Sequence, residues 1–470
     1  MRHSRFLLLA LVLSAGMSCQ TNAQEPSDAT QRLLARNATF VPRIEQVADN
    51  VHVAVDYQVS TNSMIVGDDG VIIIDPGIAV PLARRVVVAF REITDKPVKA
   101  IIYTHSHADH TNAARAFYTD GVEVWARSNF GSEARLVKEN GYAGGVRASN
   151  TQGFDLQPEQ KIGIGVGIPP RERPNLGNTL MADGAQAKAA PSVPGTVPPT
   201  HMFAGDRKEI TIAGITLELV AAPGETDDQL YVWYPDKRVL WAGDNFYQSW
   251  PNTYPLRGTA RRSVRDWIDS LSSMVDEQPE VVVPGHTGPM TDATVVLTNY
   301  RDALKWVFDK TVEGARAKMT PDALIEYTEL PAHLAGLDYL QNFYGSRWGT
   351  VRDIYAQDLG WFDGDVLNLH RESPQAQAER SAALLGGVEA IAAKARDALE
   401  AGDYLGAAQL GDTWSKLEPE NPEAFLATAN ALYALAERTF NVPARNYTNS
   451  SANRYRTKAE SLLADAEPPN

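Results

Sequence analysis

Thr104-His105-Ser106-His107-Ala108-Asp109-His110 places four potential metal ligands within six residues and holds three of the nine histidines in the chain. Imidazole nitrogen and carboxylate oxygen are zinc-type donors. Neighbouring residues of an extended loop point in opposite directions. One ion could not easily take all four ligands from so short a loop, so the spacing suits two neighbouring ions that divide them. The plainer alternative, a polar loop with unrelated histidines, leaves this density unexplained.

Working outward, the loop follows a strand-like run at 101–104, and three more runs end in the same way. Residues 217–223 lead to Gly224-Glu225, 239–243 to Asp244, and 281–284 to Gly285-His286. Four strand ends can deliver ligands to one edge of a sheet, where α/β proteins concentrate their sites. The wider pattern agrees. Runs rich in Val, Ile, Tyr and Trp at 51–55, 71–75, 100–104, 122–126, 215–221, 230–234, 239–242 and 280–283 read as strands. Helical stretches lie between some of them, at 81–92 and 262–274, which predicts an α/β fold.

Residues 163–205 are dense in Gly, Pro and Ala with little periodicity, and read as a surface loop or insert. From Asp302 onward strand patterning ceases. Residues 303–319 are amphipathic, and Thr320-Pro321 reads as an N-cap followed by a first-turn proline. Helical patterning breaks at Gly360-Trp361-Phe362-Asp363-Gly364 and again at a polar stretch over 371–378. A last helical block, 383–464, has the look of tetratricopeptide-like hairpins. It holds about two repeats, where a free-standing solenoid needs about three, so it is expected to pack on the rest of the protein or on a second subunit.

The 470 residues carry 44 Lys+Arg and 58 Asp+Glu, a formal net charge of −14. Acidic surfaces repel phosphate backbones, which argues against nucleic-acid binding. Apolar content of 44 % and charged content of 22 % exclude a disordered or fibrous chain. Arg2 and Arg5 precede an apolar run and a cleavage-like Thr21-Asn22-Ala23, so residues 1–23 read as a secretory signal. Cleavage there would remove Cys19, the one cysteine, leaving a mature chain stabilised without disulfides. Lipidation of Cys19 is the rival reading. No later stretch reaches the roughly 18 apolar residues of a membrane span. A periplasmic or secreted protein without stable membrane insertion is expected.

The motif His105-x-His107-x-Asp109-His110, together with Pro284-Gly285-His286, resembles the signature of the metallo-β-lactamase superfamily. Where most members have Pro-Gly-His-Thr, this chain has Pro223-Gly224-Glu225-Thr226, which is similar to the alkylsulfatase branch. Leu256-Arg257-Gly258 resembles the segment of that branch whose arginine faces the sulfate. Gly360-Trp361-Phe362-Asp363-Gly364 resembles the end of its dimerisation domain, and 379–410 its helical extension. The resemblance implies an αββα sandwich over 24–300, a helical dimerisation region over 301–375 and a helical, tetratricopeptide-like extension over 376–470. It implies a homodimer. It also implies two zinc ions: one held by His105, His107 and Glu225, the other by Asp109, His110 and His286, with Asp244 bridging. The branch typically has a glutamate at the Asp244 position and often a histidine at that of Pro251. No counterpart of its sterol-carrier-like terminal domain is expected in this chain.

The implied reaction is cleavage of a small-molecule alkyl sulfate by zinc-activated water. Arg257 would hold the sulfate and Asp109 would accept a proton. Three alternatives keep the site but change its use: another ester, lactone, thioester or phosphoester as substrate; iron electron-transfer chemistry; or an exported assembly protein with a relic metal site. Glu225 argues against lactams, and the completeness of the seven ligand positions argues against a relic.

Overall fold

The computed structural model describes residues 25–133, 144–167 and 195–466. The leader-like segment 1–23 and most of the insert, 168–194, lie outside the described residues. Two mixed sheets form the centre. The first runs in the order β1 (Arg43–Ala48), β2 (Val51–Val55), β3 (Asn62–Val66), β4 (Val71–Ile74), β5 (Val98–Ile102), β6 (Glu123–Arg127) and β7 (His201–Phe203). Its first four strands pair antiparallel and its last four parallel, with β4 common to both sets. The second sheet runs in reverse chain order from β13 (Met290–Thr291) through β12 (Val281–Pro284), β11 (Val239–Gly243), β10 (Leu230–Tyr234) and β9 (Ile215–Ala221) to β8 (Arg207–Ile212).

Side-chain alternation dictates the layers. Val51, Val53, Ile72, Ile74 and Ile102 point inward and meet Leu217, Leu219, Val232, Trp241 and Val283 of the facing sheet in one dry core. Their neighbours point outward. Ile73 and Ile101 take helix α1 (Val80–Arg91) through Ala83, Val86 and Phe90. Tyr231, Trp233, Leu240 and Val282 take helices α2 (Val264–Asp276) and α3 (Ala293–Arg316) through Trp267, Leu271, Leu297 and Tyr300. Strands covered on both faces must read as continuous apolar runs, which is how β4, β10 and β11 read. The result is an αββα sandwich followed by a helical C-terminal region.

Several boundaries differ from the sequence reading. Helix α3 starts at Ala293, so the division expected at 300/301 falls inside one 24-residue helix. Its first turns, Thr294-Val295-Val296-Leu297, are β-branched and apolar, and packing on the second sheet overrides their strand preference. The insert 163–205 contains β7, which pairs with β6. The polar stretch 371–378 is not a separator throughout, because a helix capped by Ser373 starts at Pro374. The last block folds as helices Val388–Glu400, Tyr404–Leu417, Pro422–Glu437 and Val442–Asp465.

Asp353, at the end of helix α4 (Arg347–Ile354), is 1 % exposed. Burial pushes its carboxyl up to about 8, against the opposing pull of the Gln357 amide and Arg262. Its neutral form is therefore favoured in the folded state but not in the unfolded chain. Stability from this group is present below about pH 4 and is lost progressively up to about pH 8. The thermal midpoint of Asp353→Asn relative to wild type should therefore rise between pH 5 and about 8. A constant difference across that window would contradict the reading.

Candidate metal centre

The carboxyl ends of β4 and β5 are neighbours because the two strands are parallel. Asp75 follows β4 in a left-handed conformation, with φ of 50°. Its Oδ1 accepts the Thr104 backbone N–H at 2.8 Å, and its Oδ2 accepts the Thr104 hydroxyl at 2.7 Å and His110 Nδ1–H at 2.9 Å. His105 Nδ1 lies 3.0 Å from the Thr104 hydroxyl. His286 Nδ1–H donates to the Val59 carbonyl at 2.7 Å. These outer partners assign the tautomers. His105, His110 and His286 all turn Nε2 inward. His107 is reversed: its Nε2 meets Glu133 Oε2 at 3.1 Å and its Nδ1 faces Glu225 Oε1 at 3.6 Å. Burial alone would raise the pKa of Glu133, but the His107 hydrogen bond and nearby Arg262 bring it to about 2. It is therefore an ionised acceptor.

Asp244 lies between the two groups. Its Oδ2 is 3.7 Å from His105 Nε2 and 3.2 Å from His286 Nε2, and its Oδ1 is 3.2 Å from His110 Nε2. Asp109 Oδ2 approaches His286 Nε2 at 3.5 Å and His110 Nε2 at 3.8 Å. Two glycines permit this closeness. A Cβ at Gly285 would sit 1.9 Å from Asp244 Oδ1, and one at Gly224 would sit 2.2 Å from Asn245 Oδ1. Thus all seven residues expected as ligands converge. Two three-residue groups present converging ligand atoms: His105, His107 and Asp244; and Asp109, His110 and His286. Glu225 adjoins the first group, but its Oε2 is already engaged by Arg262 at 2.5 Å.

The donor chemistry fits divalent ions. His105 Nε2, His110 Nε2 and Asp244 Oδ1 are buried without a hydrogen-bond partner among the described residues. Orphaned buried polar atoms of this kind are unfavourable. The 3.2–3.8 Å separations are close to the edge of a tetrahedron built on metal–ligand bonds of about 2.0–2.1 Å, which is about 3.3–3.4 Å. Burial drives His105 well below the usual histidine range. It opposes the charge on His110 too, but Asp244, Asp109 and Asp75 outweigh it and hold that ring well above. Burial raises Glu225 despite Arg262 and His107. Carboxylates and imidazole lone pairs packed this tightly are a site for a metal cofactor.

A cavity of about 250 Å³ opens onto Asp109, Glu225, Asp244 and His286. Arg257, Gln152, Tyr247 and Tyr344 supply its polar wall, and Val59, Ile78, Phe154, Ile164 and Val166 its apolar wall. The Tyr344 hydroxyl accepts from Gln152 at 3.0 Å. Pro251 is not part of the lining. Asp75, Glu133, Arg262, Gln152 and Tyr344 were not singled out from sequence. Only Asp75 carried a local signal, a carboxylate closing an isoleucine run before Pro76-Gly77.

Two covered sheets with a His/carboxylate cluster at their shared edge define the class, and a metallo-beta-lactamase superfamily model matches residues 56–128 and 159–286. An alkyl sulfatase dimerisation model matches 320–458, across the division expected at 375/376. A linear primary-alkylsulfatase from a Pseudomonas species is 32 % identical over 415 residues, covering 85 % of this chain and 75 % of that protein. The chain belongs to the alkylsulfatase family of this superfamily. An (R)-specific secondary-alkylsulfatase, also from Pseudomonas, is 27 % identical over 402 residues, covering 82 % of this chain and 58 % of that protein. The fold matches that of the stereoselective inverting sec-alkylsulfatase Pisa1 from Pseudomonas, with a TM-score of 0.75 and 24 % identity, covering 93 % of this chain and 69 % of that one.

Asp75 orients His110 and, through Thr104, His105. Asp75→Asn should weaken metal retention about 10–100-fold, read by competition with a chromogenic chelator. Unchanged retention would remove Asp75 from this role.

Proposed function

We propose that the chain is a metal-dependent hydrolase that cleaves alkyl sulfate esters to an alcohol and sulfate. The observation that carries this reading is the cavity, whose lining joins the ligand cluster to cationic and hydrogen-bonding groups and to apolar side chains. An amphiphilic anion matches both kinds of group. His105, His107 and Glu225 would hold one zinc ion and Asp109, His110 and His286 the second, with Asp244 between them. Such ions supply Lewis acidity and lower the pKa of water to about 7.

The chain's own groups do the rest. Arg257 presents an always-charged planar fork to the ester oxyanion. Burial opposes its charge, but Tyr344, Glu225 and Glu133 favour it and hold its pKa above the usual value. Tyr344, fixed by Gln152, adds a hydroxyl to the same lining. Asp109 lines the cavity, which supports its role as the acceptor of a proton from attacking water. Phe154, Ile164 and Val166 take the alkyl chain and exclude water from the reacting end. Export rests on the leader-like residues 1–23.

Purified protein loaded with zinc should release sulfate from a medium-chain alkyl sulfate. A chelator should abolish the release and added zinc restore it. Arg257→Ala should lower kcat/KM by on the order of 10²-fold. Inactivity of metal-loaded wild type across a panel of chain lengths would overturn the substrate assignment.

The dimerisation region carries exposed apolar side chains, with Trp361 79 % and Leu367 73 % exposed and Val366, Leu369 and Leu384 nearby in sequence or equally bare. We place the contact with a second copy on this segment, which the dimerisation model spans. The double variant Trp361→Asp/Leu367→Asp should sediment as a monomer where wild type sediments as a dimer. A dimeric variant would move the contact elsewhere.

A further inference from the structure

The two ligand groups are held from behind by different parts of the fold. Asp75 and the Val59 carbonyl, both in the first sheet's half, orient His110 and His286, and Asp75 reaches His105 through Thr104. The other group is closed by a ring of side chains contributed by separate segments. His107 Nε2–H donates to Glu133 Oε2 at 3.1 Å. Glu133 Oε1 accepts the Thr259 hydroxyl at 3.0 Å. That hydroxyl accepts Arg262 Nε–H at 3.2 Å. Arg262 Nη1 donates to Glu225 Oε2 at 2.5 Å and to the Asn252 carbonyl at 2.6 Å. Glu225 Oε1 returns to His107 Nδ1 at 3.6 Å.

Each link does a definable job. Glu133 fixes the proton on Nε2 of His107, so its Nδ1 keeps a lone pair toward the cluster. Arg262, 2 % exposed, occupies one oxygen of Glu225 and leaves one for a cation. Thr259 donates to one partner and accepts from the other, as a single hydroxyl can, and so joins the two arms. Thr259 and Arg262 also lie on the segment that carries Arg257 into the cavity.

We propose that Glu133, Thr259 and Arg262 are positioning residues for His107 and Glu225, and that they set the retention of one ion of the pair independently of the other. The inference rests on the two-ion reading of the site and extends it to three residues outside the ligand set. Asp244 faces both groups and Asp75 backs a histidine of each, but neither is a member of the ring, so a change in the ring should reach the second ion only weakly.

The test is a chelator titration of zinc-loaded protein, with bound zinc counted by elemental analysis at each step and thermal midpoints taken on metal-free samples. Glu133→Gln and Thr259→Val alter partly exposed positions and keep side-chain volume. Each should release one ion at about 10–100-fold lower chelator strength than wild type, leave the second where it was, and keep the metal-free midpoint. Arg262→Lys, which keeps the charge but loses the fork, should fall between these variants and wild type. Loss of both ions together, with a lowered metal-free midpoint, would mark the ring as merely structural and overturn the proposal. Two ions retained as in wild type would also overturn it. Wild type that retains fewer than two ions would overturn the two-ion reading, and the proposal with it.

Discussion

The site depends on one constraint: a buried imidazole offers an inward lone pair only if its other nitrogen has somewhere to put its proton. In this chain every inward-facing nitrogen has an outward partner of fixed identity. Asp75, the Thr104 hydroxyl, the Val59 carbonyl and Glu133 are those partners. Removing any of them would let a ring flip or change tautomer, and the cluster would become hydrogen-bonded to itself rather than open to cations. Orientation by the surrounding shell thus matters as much as the ligands.

Sheet topology makes such partners available. Parallel pairing of β4 with β5 and of β11 with β12 brings neighbouring carboxyl ends together, and the face-to-face packing of the two sheets brings those pairs opposite each other. Asp244 follows β11 and His286 follows β12, with glycines at 243 and 285 where the backbones approach. The second sheet's outer face is closed by Trp267, whose indole N–H donates to the Asn245 carbonyl at 3.0 Å, next to Asp244. The dry helix layer therefore reaches to within one residue of the chemistry.

Much of this was legible in the sequence because it is local. Doubly covered strands such as β4, β10 and β11 announce themselves as apolar runs, and the residues after β4 and β11 mark the site. What was not legible is either amphipathic or non-local. Strand β8 begins with three exposed charged residues, Arg207, Lys208 and Glu209, and β3 begins with Asn62 and Ser63. Neither pattern shows the periodicity of a covered strand. Glu133 and Arg262 lie 26 and 37 residues from the ligands they touch. No spacing rule links them, and only the folded chain sets them side by side.

The two ends of the described chain meet. The hydroxyls of Ser27 and Thr30 both donate to the Glu437 carbonyl, and the Arg445 guanidinium reaches Thr30 at 2.7 Å. These contacts join residues more than 400 positions apart. The helix Asp28–Asn37 also docks on the Ile162, Gly165 and Gln248 carbonyls, but its amino-terminal cap is complete only once the helices around Glu437 and Arg445 have formed. Such long-range closure slows acquisition of the native state, and the contacts of this helix with the carboxyl-terminal helices are among those a chain made from its amino end completes late.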